Sequence, residues 1–155
     1  MHRQPPILYT DPAKVVTLEV EVPPDDSAEP TGPTRRVLLL EDRDDFREVL
    51  RDRLDSRLFQ VTSVPSGVEG LREVAKDAFD LIICDMMMPK LNGEMFYWAT
   101  TRARPAAAER FIFITGHYND AKVRAFFQRV NAVALLKPFQ LKELNSAIAD
   151  LLARL

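Results

Sequence analysis

Three short unbroken apolar runs constrain this chain most: VLLL at 37–40, LIIC at 81–84 and FIFI at 111–114. A strand with one face in water alternates apolar and polar residues, whereas a strand that is apolar at every position must be covered on both faces. Two further candidate strands lie at 59–63 and 133–136, the fourth apolar run continues to Thr115, and helical patterns separate all five. This alternation, beginning at Arg36, specifies a parallel sheet with helices on both faces.

The helices carry their own start signals. Asp45 with Glu48 and Ser66 with Glu69 have capping-box spacing. Apolar stripes follow, with Phe46, Val49, Leu50 and Leu54 on the first helix and Val68, Leu71 and Ala75 on the second. A third helix is expected over 93–103 and a fourth over 120–129, and the last keeps a helical period through Leu141, Leu144, Ile148, Leu151, Leu152 and Leu155. The fold class expected is α/β, a doubly wound (βα)5 unit with a five-stranded parallel sheet, and 155 residues suit one such domain.

Residues 1–34 read differently. Seven prolines and the acidic stretch DDSAE at 25–29 give the texture of a linker or N-terminal extension. Within it Val16, Leu18, Val20 and Val22 alternate with polar residues, the period of one half-buried strand. Such a strand needs a partner, either in the following domain or at the end of a preceding one. The domain division expected is therefore 1–34 and 35–155.

A formal net charge of −2 supplies no basic face for nucleic acid. No apolar run reaches the ~18–20 residues that cross a bilayer, and the first residues lack the apolar stretch of a secretory signal. A cytoplasmic location is expected, and the single cysteine, Cys84, inside an apolar run, reads as a small buried hydrophobe.

In open parallel sheets, ligands bind in the crevice beyond the carboxyl ends of the strands. The polar residues there are Glu41 and Asp42 after the first run, Asp85 after the third, Thr115 after the fourth and Lys137 after the fifth. Three converging carboxylates repel unless a cation sits among them, and a hard oxygen site suits Mg2+. With a phosphoryl group in the crevice, Asp85 is the nucleophile, Lys137 offsets charge and the Thr115 hydroxyl donates to an oxygen.

The motifs LLLED, DLIICDMMMPKLNG, FIFITG and LLKPF resemble, in order and spacing, the receiver domains of two-component response regulators. The resemblance covers about Arg36 to Leu155 and implies the flavodoxin-like receiver fold. It also implies Glu41 and Asp42 as the acidic pair for Mg2+, Asp85 as phosphoacceptor and the backbone carbonyl of Met87 as a further metal ligand. Thr115 becomes the switch hydroxyl, Lys137 the conserved-type lysine, and Lys137–Pro138 a cis peptide. The implied partners are a histidine kinase or phosphotransfer protein and an unknown downstream protein, with no direct nucleic-acid contact and no membrane insertion.

Two positions depart from the usual receiver pattern. Ala134 stands where many receivers carry Tyr or Phe, so the signal is expected to pass through the Thr115 loop and the fourth helix, with Phe126 or Phe127. Met87 and His117 occupy the places that flank the hydrolytic water, which implies a slow, pH-sensitive dephosphorylation. The strand and acidic linker before Arg36, with no receiver aromatic at 134, look like the C-terminal receiver of a hybrid sensor kinase. Two other functions fit parts of the pattern. A phosphohydrolase with an aspartate nucleophile typically needs a second Asp where Met87 stands, and a non-phosphorylated receiver-like interaction domain does not need the acidic pair, Thr115 and Lys137 together.

Overall fold

A computed structural model of the chain describes residues 8–9, 32–56 and 58–155. The expected alternation is present: β2 (Arg35–Leu40), α1 (Asp44–Leu54), β3 (Phe59–Val64), α2 (Gly67–Lys76), β4 (Leu81–Asp85), α3 (Gly93–Ala103), β5 (Phe111–Thr115), α4 (Ala121–Arg129), β6 (Val133–Leu136) and α5 (Leu141–Ala153). A two-residue strand, β1 (Leu8–Tyr9), precedes them, and all strand pairs are parallel in the order β1-β6-β5-β4-β2-β3. The five expected strands thus form the sheet, and β1 adds to its β6 edge with Leu8 opposite Ala134 and Tyr9 opposite Leu135. The expected strand at 16–22 lies outside the described residues.

Side-chain alternation on each strand splits the core into two layers. Leu38, Leu40, Ile82, Cys84, Phe111, Phe113 and Ala134 face α2, α3 and α4. Val37, Leu39, Leu81, Ile83, Ile112, Ile114, Val133 and Leu135 face α1 and α5. This explains why the runs 37–40, 81–84 and 111–114 are continuously apolar: each of their residues enters one layer or the other.

Three sequence expectations need correction. Helix α1 has no Asp45 cap; Arg43 is the N-cap without a side-chain bond, and Asp45 lies in the first turn, accepting from the Phe46 N–H at 2.8 Å. Ser66 does cap α2, accepting from the Glu69 N–H at 3.3 Å. The stripes are also different, because Val49 on α1 is exposed, and on α2 Val68 and Ala75 are exposed while Gly67, Gly70 and Val74 are buried. A Cβ on Gly70 would collide with the Leu40 side chain and lie 2.9 Å from Phe96 Cε2. Glycine lets the helix axis approach the sheet there, which a hydropathy stripe does not register. Finally, α5 ends at Ala153, leaving Leu155 exposed beyond it.

Candidate functional site

Because β2, β4, β5 and β6 are parallel neighbours, their carboxyl ends share one edge. That edge gathers Glu41, Asp42, Asp85, Thr115 and Lys137. Glu41 and Thr115 are fully buried and Asp85 nearly so, while Asp42 is exposed at the mouth. Carboxylate oxygens of Glu41, Asp42 and Asp85 lie within 4.8 Å of one another. Lys137 Nζ stands 2.9 Å from Asp85 Oδ2 and 3.3 Å from Glu41 Oε2. An all-oxygen set with one member open to water fits a hard cation that keeps part of its hydration shell.

The backbone fixes these groups. The Met87 N–H donates to Asp85 Oδ1 at 3.0 Å, orienting the carboxylate. Helix α3 begins against the same strand end: the Gly93 N–H donates to the Met86 carbonyl at 3.0 Å. A Cβ on Gly93 would lie 2.8 Å from both the Asp85 carbonyl oxygen and Met86 Cα, so only glycine fits. The Lys137 N–H donates to the Thr115 carbonyl at 2.9 Å, and Lys137–Pro138 is the expected cis peptide. Thr115 sits at the adjacent strand end, where its Oγ1 accepts from the His117 N–H at 3.0 Å. The Met87 side chain is half exposed beside the site.

Residues 37–149 match the response regulator receiver domain family. The chain belongs to that family. Over 120 residues the receiver is 32% identical to sensor kinase CckA of Brucella abortus, which aligns with 76% of this chain and 12% of that protein. It is 29% identical to the response regulator receiver protein CpdR of the same organism, covering 76% of this chain and 97% of that one. The chain spans from an eighth to a half of the length of the first curated relatives it matches. Among solved structures, the receiver domain of sensor histidine kinase PA1611 from Pseudomonas aeruginosa PAO1, with a magnesium ion in its active-site cleft, superposes with a TM-score of 0.67. That match has 23% identity and covers 78% of this chain and 99% of that one. No helix among the receiver's described residues is long and apolar enough to cross a membrane.

Two contributors escaped the sequence reading. Arg47 Nη1 donates to the Glu41 carbonyl at 2.9 Å, and the Arg43 N–H donates to Glu41 Oε1 at 3.1 Å, so α1 and its N-cap hold both ends of Glu41. The Phe46 ring lies 4.9 Å from Lys137 Nζ. Neither residue type is diagnostic; Arg47 looks like a solvated helix residue and Phe46 like part of an apolar stripe.

Burial, then the neighbouring Asp85 carboxylate, pushes Glu41 up to about 7 from 4.5, against the pull of Lys137 and the Arg43 N–H. A carboxyl held higher in the folded state binds its proton more tightly there than in the unfolded chain. Between about pH 4.5 and 7 the folded receiver therefore carries more protons, and stability falls as pH rises through this window. In chelator-treated buffer the denaturation free energy is expected to drop by roughly 2 kcal/mol between pH 5 and 8 from this group. Glu41→Gln should flatten the decline in urea titrations, and an equal slope in the variant would remove Glu41 as its source.

Proposed function

We propose that this receiver accepts a phosphoryl group on Asp85 from a histidine kinase or phosphotransfer protein. Glu41, Asp42, Asp85 and the Met87 backbone carbonyl would hold Mg2+. The observation that carries this reading is the buried Asp85 carboxylate with Lys137 Nζ 2.9 Å from one oxygen and the Met87 N–H 3.0 Å from the other. Asp85 is thereby oriented and charge-compensated.

When bound, Mg2+ supplies positive charge against the phosphoryl oxygens. An Asp85 oxygen attacks phosphorus, the new O–P bond forming as the donor's N–P bond breaks, and the proton needed by the leaving imidazole comes from the donor side or solvent. Lys137 offsets negative charge on the oxygens that Asp85 gains, and the Thr115 hydroxyl turns from its own loop to donate to one of them. Release of the His117 N–H from Thr115 Oγ1 then moves the β5–α4 loop. Phe126 and Phe127 on α4 pack against Phe113 two residues before Thr115, which gives a route to the surface that needs no aromatic at Ala134.

The chain acts as a regulatory domain in two-component signalling, with residues 35–155 as the receiver and 1–34 as an N-terminal extension or linker from which Leu8–Tyr9 joins the receiver's sheet, an arrangement similar to that of a cytoplasmic hybrid kinase. Phosphoramidate with Mg2+ is expected to add one phosphoryl mass to the intact protein, and a folded sample that gains none sinks the reading. The acyl phosphate should decay slowly and with pH sensitivity between about pH 6 and 8. His117→Gln should flatten that profile. A flat wild-type profile would remove His117 from the chemistry.

A further inference from the structure

We propose that Phe46 is a positioning residue that holds the Lys137 ammonium against Asp85 through the face of its ring, an inference that rests on Asp85 being the phosphoacceptor. Lysine carries its charge on a flexible four-carbon stem, so its reach does not by itself fix its place. Two carboxylates compete for Lys137 Nζ, Asp85 at 2.9 Å and Glu41 at 3.3 Å. The Phe46 ring adds a third hold, with Nζ 4.9 Å from its centroid.

This third hold differs in kind. An aromatic face attracts a cation through its quadrupole and leaves the ammonium N–H groups available for oxygen acceptors. It is also neutral, so it persists when Glu41 and Asp85 are engaged by another cation or when Asp85 becomes an acyl phosphate. The ring is itself fixed, because Phe139, two residues after Lys137 and nearly buried, meets it edge-on with centroids 6.0 Å apart at 66°. Arg43, Phe46, Lys137, Pro138 and Phe139 line one pocket, so the Phe46 ring on α1 and the Lys137 stem face the same space.

The test compares Phe46→Leu, which keeps apolar bulk without the quadrupole, with Phe46→Tyr, which restores the ring. Beryllofluoride binding with Mg2+ is expected to weaken about three- to tenfold in Phe46→Leu and to stay within about twofold of wild type in Phe46→Tyr. In the absence of beryllofluoride, the upfield ring-current shift of the Lys137 Cε protons should vanish in Phe46→Leu and remain in Phe46→Tyr. Phe46→Met takes the place of the leucine variant if that one does not fold. Wild-type binding that is matched by Phe46→Leu, or Lys137 signals that do not move, overturns the positioning role. Wild-type protein that fails to bind beryllofluoride, with Lys137 signals still responding to Phe46, overturns instead the phosphoacceptor reading on which the role depends.

Discussion

Asp85→Asn is expected to take up no phosphoryl mass from phosphoramidate and to weaken beryllofluoride binding by at least about 100-fold, because a carboxamide is not the anionic nucleophile or ligand that the site presents. Its stability is expected to hold or rise at pH 8. The site packs Glu41 and Asp85 around one lysine, so two negative charges share a single positive one in a buried place. Asparagine is nearly isosteric, keeps an acceptor for the Met87 N–H, and leaves Lys137 paired with Glu41 alone. The repulsion that raises Glu41 is reduced with it, and a gain on the order of 1 kcal/mol at pH 8 follows. Intact mass and urea denaturation read the two effects separately. A variant that still gains one phosphoryl group would place the acceptor elsewhere, and one that loses several kcal/mol would mean that Asp85 is structural.

Phe113→Ala is expected to cost about 3–5 kcal/mol, the range for deleting a fully buried aromatic ring. Phe113 is the hub of the layer under α3 and α4. Its ring stacks on Phe111 at 5.1 Å and meets Phe126 at 5.3 Å, Phe127 at 5.6 Å and Tyr97 at 5.9 Å. Its neighbours across the sheet are Cys84 and Ala134, both small and fully buried, so nothing beside it on the strands can expand into the void. Against a usual total of about 5–15 kcal/mol, the loss removes a large share of the receiver's stability. Trp98→Ala, at the exposed end of the same cluster, should cost much less. Equal urea midpoints for the two variants would refute the hub.

Ala134 changes meaning in this light. In sequence it marks a missing aromatic. In the fold it is the small residue opposite Phe113 that leaves room for that ring and for the α4 phenylalanines above it. Most of the aromatic mass of this layer comes from β5, α3 and α4, and none from β6.

The strands and most helices were legible because each is encoded locally: continuous apolar runs demand two covered faces, and Ser66 followed by Glu69 starts a helix where it stands. The strand-end carboxylates and Lys137 were legible because parallel strands deliver their carboxyl ends to one edge, whatever the side-chain details. Capping at α1 was not, since an Asp that could cap is equally at home in the first turn, and the chain's approach from Glu41 decided for Arg43. The buried face of α2 was not, because Gly70 contributes closeness rather than hydrophobicity.

By itself, the sequence determined the doubly wound sheet and which residues stand at the carboxyl edge, since these follow from periodicity and spacing, and its motifs carried the resemblance to the family. Only the tertiary structure decided that Lys137 is shared between Glu41 and Asp85 under the Phe46 ring, that Glu41 titrates near neutrality, and that β1 lies along β6. Those outcomes depend on distances between residues far apart in the chain, and electrostatic and aromatic interactions are set by such distances and by burial, neither of which a linear pattern contains.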